Sequence, residues 1–165
     1  MEKSLQVAAE VERLRCASVV VPCYNEENTV KLVLDRVLAS EFVAEVLVVD
    51  DGSTDGTLEI VRSIKDPRLK VFKQPRNIGK GAALRRGFAE ATGDYVIVQD
   101  ADLEYDPSEY GQLLEPLLSD KADVVFGSRF LTDRPRRVLY FWHSVGNRLL
   151  RPSRKTFSPG QNHSK

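Results

Sequence analysis

Short apolar runs alternate along the chain with longer segments in which apolar residues recur every three or four positions. The short runs are rich in valine, and their length and composition are typical of strands that are buried on both faces of a sheet. They predict five strands, over residues 17–21, 45–49, 69–72, 95–98 and 123–126.

The segments between these runs have the spacing of amphipathic helices. Val30, Val33 and Val37, for example, fall on one stripe, and a similar stripe recurs in the other segments. This spacing predicts helices over residues 29–40, 57–65, 81–92 and 107–119. Because strands alternate with helices, we expect a mostly parallel sheet with helices on both faces, which is a three-layer α/β fold.

Composition narrows the class of protein. The chain has 165 residues, of which 42% are apolar and 29% charged, as expected of one globular domain. The longest unbroken apolar run, residues 138–142, is far shorter than the roughly 20 residues of a membrane-spanning helix. Residues 1–12 lack the pattern of a secretory signal, so a cytoplasmic location is expected. Cys16 and Cys23 match no metal-binding spacing.

Charge is distributed unevenly although the formal net charge is zero. Residues 1–128 contain 15 Lys and Arg against 23 Asp and Glu, a net charge of −8, whereas residues 129–165 contain 9 against 1, a net charge of +8. A basic segment of this kind fits nucleic acid, an anionic membrane or a phosphate group, and it also fits a solvated tail.

Polar clusters follow four of the five predicted strands. They comprise residues 22–27 after the first strand, 50–56 after the second, 100–104 after the fourth and 127–129 after the fifth. In open parallel sheets, ligands bind beyond the carboxyl ends of the strands. We therefore expect these four clusters to converge along one rim of the sheet.

Each cluster also has a purely structural interpretation. The Asp-Gly pairs in residues 50–56 are typical of turns. Tyr24 beside Glu26 fits either a cover for the sheet end or a platform for a nucleobase whose donor edge meets the carboxylate. Residues 79–81, Gly-Lys-Gly, open a helix in a way that suits an anion. They match neither the P-loop nor the dinucleotide-binding pattern, which excludes those classes of protein.

Among the polar clusters, the Asp100-Ala101-Asp102 segment is the most specific indication of a binding site. In an extended segment, alternate side chains face the same way, so Asp100 and Asp102, with Glu104 two positions further, are expected to converge. Clustered carboxylates suit Mg²⁺ or Mn²⁺, which takes one or two of them and completes its shell with water and substrate phosphates. Arg129, after the fifth predicted strand, is suited to a diphosphate, and its structural alternative is a surface ion pair.

Five motifs together resemble the family 2 inverting glycosyltransferases, in the branch of dolichyl- or polyprenyl-phosphate sugar transferases. The motifs lie in residues 20–27, 48–55, 77–81, 100–102 and 127–129, and the resemblance covers about residues 16–150. It implies a glycosyltransferase-A fold, also called the nucleotide-diphospho-sugar transferase fold. It also implies a role for each matched residue.

These implied roles form a donor site. The resemblance assigns nucleotide-sugar binding to Pro22, Tyr24, Glu26, Val49, Asp51, Asp100, Ala101, Asp102 and Arg129. It assigns the metal, Mg²⁺ or Mn²⁺, to Asp102 and Glu104 together with Asp100, and it makes Asp102 and Arg129 the catalytic residues. Many relatives have Gln at the position of Glu104.

The resemblance implies inverting transfer of a hexose from GDP-hexose or UDP-hexose to a polyprenyl or dolichyl phosphate. Mg²⁺ or Mn²⁺ with Arg129 would stabilise the charge that develops on the leaving diphosphate. A lipid phosphate is already largely ionised at neutral pH and needs no general base. The expected setting is the cytosolic membrane face with peripheral membrane contact, and no nucleic acid partner is expected.

The sequence departs from the family near its end. Relatives continue well beyond Leu150 with a segment that closes the acceptor site, so we expect a C-terminally truncated chain. Residues 1–150 are then a nucleotide-sugar-binding domain that is incomplete at the acceptor side, and residues 151–165 a disordered basic tail. The alternative to an active transferase is a catalytically incomplete nucleotide-sugar-binding fragment. A sugar-phosphate nucleotidyltransferase is a third option, whose glycine-rich N-terminal signature is absent.

Overall fold

A computed structural model describes residues 15–127 of the chain, and residues 1–14 and 128–165 lie outside that description. The described elements run in the order β1 (Ala17–Cys23), α1 (Val30–Ala39), β2 (Val43–Asp50), α2 (Thr57–Ser63), β3 (Leu69–Lys73), α3 (Lys80–Glu90), β4 (Tyr95–Val98), a 3₁₀ turn (Pro107–Glu109) and α4 (Tyr110–Leu118). None of the helices in residues 15–127 is long and apolar enough to cross a bilayer.

The four described strands form one parallel sheet in the order β3-β2-β1-β4. All seven residues of β1 are buried, as are seven of the eight residues of β2. Burial on both faces explains why these strands are continuous valine-rich runs and do not alternate apolar with polar residues. The predicted mostly parallel sheet is therefore confirmed.

Helices cover both faces of the sheet. On one face, Val19 and Val21 of β1 belong to a single apolar core that includes residues of α1, α2 and α4. The alternate residue Val20 faces α3 on the other side. Gly87 of α3 permits the close approach, because a Cβ atom there would lie 2.3 Å from Val20 Cγ1. The predicted three-layer architecture is thus present.

The structure confirms four predicted strands and all four predicted helices, with shifts of a few residues at their ends. The predicted strand over residues 123–126 is wrong, because the structure has no strand there. Val124 and Phe126 are 63% and 78% exposed. Their side chains favour strands, but a strand also needs a hydrogen-bonding neighbour and a layer to pack against. The part of the chain that is described provides neither for this run.

The strand order places a topological switch between β1 and β4. From β1 the chain proceeds to β2 and β3 on one side, and it then crosses to β4 on the other side. At such a point, the loops that leave neighbouring strands diverge and leave a crevice beyond the carboxyl ends. Two of the polar clusters, residues 22–27 and residues 100–104, follow β1 and β4 and lie at this crevice.

The opposite end of the sheet is held by the buried carboxylate of Glu45 in β2. Its Oε1 accepts hydrogen bonds from Ser18 Oγ at 2.7 Å and from the Thr92 backbone N–H at 2.7 Å. Its Oε2 lies 2.7 Å from Lys70 Nζ. Burial raises the pKa of Glu45, but the hydrogen bonds from Lys70, Ser18 and Thr92 outweigh it and lower the pKa to about 2. This carboxylate therefore joins β1, β2 and β3 and the chain that follows α3.

We predict that Glu45→Gln lowers the free energy of unfolding at pH 7 by about 1.5 to 3 kcal/mol, the range for a hydrogen bond to a charged group. Because the pKa of Glu45 is lowered from 4.5 to about 2, its contribution is present above pH 4.5 and is lost as the pH falls toward 2. Urea unfolding between pH 2 and pH 7 measures both effects.

Glu59→Gln is the matched control, since Glu59 is exposed in the first turn of α2. It should leave stability at pH 7 within about 0.5 kcal/mol of the parent, as is usual for surface substitutions. Equal stability of the Glu45→Gln and Glu59→Gln variants at pH 7 would contradict the assigned role of Glu45.

Candidate functional site

The loop that follows β1 is tied to the loop that follows β2 by side chains. Asn25 is in the left-handed region, with φ 56°, and its Oδ1 accepts a hydrogen bond from the Thr54 backbone N–H at 2.9 Å. The Asn25 backbone N–H donates to Ser53 Oγ at 3.0 Å. Glu27 Oε2 accepts from the Gly56 backbone N–H at 2.9 Å. These bonds fix the path of residues 24–27, which carry two of the predicted nucleoside ligands.

Asp51, directly after β2, holds the loop that precedes α3. Its Oδ1 accepts hydrogen bonds from Gln74 Nε2 and the Ile78 backbone N–H, both at 3.0 Å, and its Oδ2 accepts from the Gly79 backbone N–H at 2.7 Å. Gly52 lets the two loops approach, because its φ is +78° and a Cβ atom there would lie 2.7 Å from the Arg76 carbonyl carbon. The buried Asp51 carboxylate thus determines the position of the Gly79-Lys80 corner.

The segment that follows β4 is held by Gln99, which is fully buried. Its Nε2 donates to the carbonyl oxygens of Asp100 at 3.1 Å and Tyr105 at 3.3 Å, and its Oε1 accepts from Tyr110 Oη at 2.8 Å. Burial, and then the charge of Asp106, raise the pKa of Tyr110, so its hydroxyl keeps the proton that it donates. The turn over residues 100–105 is therefore anchored to α4.

The prediction for Asp100, Asp102 and Glu104 rested on an extended backbone, and that part of it is wrong. β4 ends at Val98, residues 101–102 form a turn, and Leu103 has φ 63°. Asp102 Oδ1 accepts a hydrogen bond from the Glu104 backbone N–H at 3.1 Å, as is typical of a turn. Among residues 15–127, no group of three or more Asp, Glu, His or Cys side chains could hold a metal ion.

A divalent cation that shares its shell with a substrate needs fewer protein ligands. Mg²⁺ in phosphate-binding sites uses one or two carboxylates, and water and phosphate oxygens complete the shell. Asp100 and Asp102 both line the crevice. Asp100 Oδ1 is inaccessible to solvent, and within the described residues its polar contact is Lys80 Nζ at 2.6 Å. An oxygen that already contacts a cationic group suits a metal chemically, so the donor set fits a shared site.

These elements surround a cavity of about 310 Å³ at the carboxyl ends of β1, β2 and β4. All of its lining residues except Ala83 belong to four of the five motifs, and the lining comprises Pro22, Cys23, Tyr24, Glu26, Asp51, Asn77, Gly79, Lys80, Ala83, Asp100, Ala101 and Asp102. The side chain of Tyr24 is exposed, and Glu26 Oε2 accepts a hydrogen bond from Thr29 Oγ1 at 2.7 Å. An aromatic ring, several carboxylates and one ammonium group therefore face the same space.

Seven of the predicted nucleotide-sugar residues line this cavity: Pro22, Tyr24, Glu26, Asp51, Asp100, Ala101 and Asp102. Val49 is fully buried in β2 and is not part of the lining, and neither is Glu104. Arg129 lies outside the described residues, as do the basic segment and the predicted tail over residues 151–165.

Cys23 lines the cavity but is unsuited to nucleophilic chemistry. Burial, followed by the negative charges of Asp50 and Glu26, raises the pKa of the Cys23 thiol to about 12. Its Sγ lies 3.8 Å from the Val49 carbonyl oxygen, which it contacts as a weak donor. Because the thiolate is the reactive form, this side chain stays a neutral packing group at pH 7.

Three further residues line the cavity, although no role in the site was predicted for them: Asn77, Lys80 and Ala83. For Lys80 a signal was present, since a basic residue at the start of a helix between two glycines suits an anion. The contact between Lys80 and Asp100 joins residues 20 positions apart in the chain, and no local pattern indicates it.

Comparison with solved structures supports the same fold. A crystal structure of glucosyl-3-phosphoglycerate synthase from Mycobacterium tuberculosis, in complex with Mn²⁺, uridine diphosphate and phosphoglyceric acid, superposes with a TM-score of 0.55 and 34% identity. The match covers 67% of this chain and 43% of that chain. The predicted glycosyltransferase-A fold is confirmed.

Curated relatives act on lipid phosphates, as their names state. A dolichyl-phosphate beta-glucosyltransferase of Trichomonas vaginalis is 36% identical in an alignment of 125 residues, and the match covers 67% of this chain and 37% of that protein. An undecaprenyl-phosphate 4-deoxy-4-formamido-L-arabinose transferase of Aeromonas hydrophila is 39% identical in an alignment of 119 residues, and the match covers 68% of this chain and 36% of that protein. A dolichol-phosphate mannosyltransferase of Pyrococcus furiosus is 33% identical, and the match covers 69% of this chain and 33% of that protein.

The chain thus spans little more than a third of the length of these relatives. A profile of glycosyl transferase family 2 matches residues 18–162. Because this match spans most of the 165 residues, the chain belongs to glycosyl transferase family 2.

Proposed function

We propose that this chain binds a nucleotide sugar together with a divalent cation, as the donor-binding part of an inverting transferase that moves a hexose to a polyprenyl phosphate. The observation that carries the proposal is the cavity at the switch between β1 and β4, where an exposed aromatic ring meets the carboxylates of Asp100 and Asp102. Membership of glycosyl transferase family 2 supports the class of donor.

In this proposal, the loop after β1 receives the nucleoside. The Tyr24 ring offers an exposed face on which a base can stack, and the Glu26 carboxylate can accept a hydrogen bond from the N–H edge of uracil or guanine. The tie between Asn25 and Thr54 holds both side chains in place before a ligand arrives. Preorganised groups of this kind lower the entropy cost of binding.

The diphosphate is placed beside the loop after β4. Asp100 and Asp102 would hold Mg²⁺ or Mn²⁺, which supplies positive charge to the phosphate oxygens as the bond to the sugar breaks. Arg129 is proposed to add a second positive group there. Ala101, which lies between the two aspartates in the chain, is almost fully buried and also lines the cavity.

The acceptor in this proposal is a polyprenyl phosphate, because the named relatives act on dolichyl or undecaprenyl phosphates. A phosphate monoester is mostly ionised at neutral pH, so its oxygen can attack without a general base. Attack on the face of the sugar opposite the diphosphate gives inversion. A lipid acceptor also places the reaction at a membrane surface, which we propose to be the cytosolic face.

A second candidate function is binding of nucleotide sugar without transfer. It is favoured by one observation, namely that the cavity-lining residues all lie between Pro22 and Asp102 and, apart from Ala83, belong to donor-side motifs. Orientation of a second substrate contributes roughly 7 to 11 kcal/mol to a two-substrate reaction. A chain that spans about a third of its relatives can hold the donor and lack much of this contribution.

We predict that Asp51→Asn destabilises the protein even without nucleotide. The amide cannot accept the hydrogen bond from the Gly79 N–H while its oxygen serves Gln74 and Ile78, so the free energy of unfolding should fall by about 1.5 to 3 kcal/mol. Chemical unfolding of the ligand-free chain measures this loss. Asp35→Asn on α1, whose carboxylate is half exposed, is the control and should be nearly neutral.

An Asp51→Asn variant with parent stability would show that the 77–79 loop does not depend on this carboxylate. Nucleotide-sugar affinity measured on the same variant then tests whether Asp51 also contributes to donor binding, as the family resemblance implies.

Asp102→Asn is predicted to weaken nucleotide binding only when the divalent cation is present. Loss of a direct metal ligand should lower the affinity for UDP or GDP in Mn²⁺ by at least about tenfold, since even outer-shell partners of metal ligands are worth that much. Calorimetric titration with and without Mn²⁺ measures the difference. Asp94→Asn, at the opposite end of β4, removes the same charge and should change nothing.

If Asp102→Asn and the parent bind UDP and GDP with the same Mn²⁺ dependence, Asp102 is not a ligand of the cation. If the parent binds neither nucleotide in Mn²⁺, the proposed function itself is wrong.

Sugar transfer separates the two candidate functions. We expect the 165-residue chain to bind nucleotide sugar and to transfer hexose to polyprenyl phosphate well below an ordinary enzymatic rate of about 1 s⁻¹. The measurement is radiolabelled sugar transfer with UDP-glucose and GDP-mannose as donors, run beside a binding titration. Turnover at about 1 s⁻¹ or faster would instead establish that this chain carries its own acceptor site.

A further inference from the structure

The ion pair between Lys80 and Asp100 differs from the two described ion pairs that lie within a single helix. Lys31–Asp35 and Arg86–Glu90 each join neighbouring turns of one helix, with both partners well exposed. Lys80 Nζ lies 2.6 Å from Asp100 Oδ1, and the pair joins the start of α3 to the segment after β4. Only the lysine is well exposed, at 57%, whereas the aspartate side chain is 15% exposed.

Lys80 contacts the carboxylate oxygen of Asp100 that water cannot reach. Asp100 Oδ1 is inaccessible to solvent and accepts no hydrogen bond from residues 15–127, so the ammonium supplies its compensation. A buried carboxylate oxygen without a partner is unfavourable. In the absence of a ligand, Lys80 therefore pairs with Asp100 and lies in the cavity that Asp102 also lines.

A divalent cation needs the same carboxylate. Mg²⁺ binds carboxylate oxygens at about 2.0 to 2.1 Å, and an ammonium group in contact with the same oxygen would then lie within a few ångströms of a doubly charged ion. Like charges at that separation repel strongly in a partly buried site. The cation and Lys80 therefore compete for this carboxylate.

We propose that Lys80 is an internal counter-cation, which competes with the divalent cation for Asp100 and thereby makes cation and nucleotide bind in a mutually dependent way. This inference rests on the proposed function. When the cation binds alone, the Lys80 ammonium leaves Asp100 and is solvated by water instead. When a nucleoside diphosphate binds as well, the released ammonium finds a new anionic partner in the same cavity.

The position of Lys80 suits this exchange. It is the first residue of α3, a helix of 11 residues, and it lines the cavity beside Gly79. Its side chain is long and largely exposed, so it can turn from Asp100 to a phosphate oxygen while the backbone stays fixed by Asp51. The divalent cation and the diphosphate then gain affinity from each other, as reciprocal coupling requires.

The test is the affinity of the full chain for Mn²⁺, measured from the spectrum of free Mn²⁺ by electron paramagnetic resonance, without nucleotide and with saturating UDP or GDP. Lys80→Met should bind Mn²⁺ about fivefold more tightly than the parent without nucleotide, equivalent to ~1 kcal/mol for a partly exposed ion pair. With nucleotide present, this advantage should vanish or reverse. The coupling between Mn²⁺ and nucleotide should therefore be smaller in the variant.

Two further variants make the result specific. Lys31→Met removes the same charge from a pair of nearly the same length, 2.7 Å, and should leave Mn²⁺ affinity unchanged. In an Asp100→Asn background, Lys80→Met should have no effect on Mn²⁺ affinity, because the carboxylate for which the two cations compete is absent. Lys80→Gln repeats the test with a polar side chain, and thermal unfolding checks that each variant is folded.

The inference is overturned if Lys80→Met binds Mn²⁺ no more tightly than the parent without nucleotide while the parent binds Mn²⁺ with UDP or GDP. It is also overturned if Lys80→Met keeps its effect in the Asp100→Asn background, since the lysine then acts only through its distant charge. If the parent binds no Mn²⁺ under either condition, the proposed function fails and the inference fails with it.

Discussion

Burial of β1 on both faces is the constraint on which the rest of this structure depends. All seven of its residues are buried, and its neighbour β2 is buried almost as completely. Polar side chains that must meet a ligand cannot lie along such strands without a high cost. They can lie only where the strands end. In a parallel sheet these ends face the same way, and the switch between β1 and β4 opens a crevice there.

The two ends of the sheet use buried carboxylates for different purposes. Glu45 joins three strands and the chain that follows α3 near the amino ends, where it accepts hydrogen bonds from Ser18 and Thr92 and pairs with Lys70. At the carboxyl ends, Asp51 bonds to backbone N–H groups of a loop. The first arrangement stabilises the sheet itself, and the second positions a loop beside a cavity. A family can therefore vary the loops while the sheet stays the same.

Much of the fold could be predicted from the sequence because buried parallel strands and amphipathic helices leave strong local patterns. The valine runs identified four strands, and the same reasoning failed at residues 123–126, where Val124 and Phe126 have no element of residues 15–127 to pack against. The order of motifs identified most of the cavity lining. The pair between Lys80 and Asp100 could not be predicted, since it depends on how α3 and the segment after β4 meet in space.

The carboxylates around the cavity differ in how fully the protein already satisfies them, and this difference indicates what each can do. Asp51 has three donors on its two oxygens, so it has little remaining capacity and acts mainly on the loop. A buried oxygen of Asp100 contacts the Lys80 ammonium, so this carboxylate is able to exchange one cation for another. Asp102 is exposed and accepts a hydrogen bond from the Glu104 N–H within its own turn. A carboxylate that the fold satisfies completely shapes the site, whereas one that it satisfies with a mobile charge is available for ligand binding. By this argument, residues 100–102 form the part of the cavity where binding of a charged donor would change the protein's own contacts.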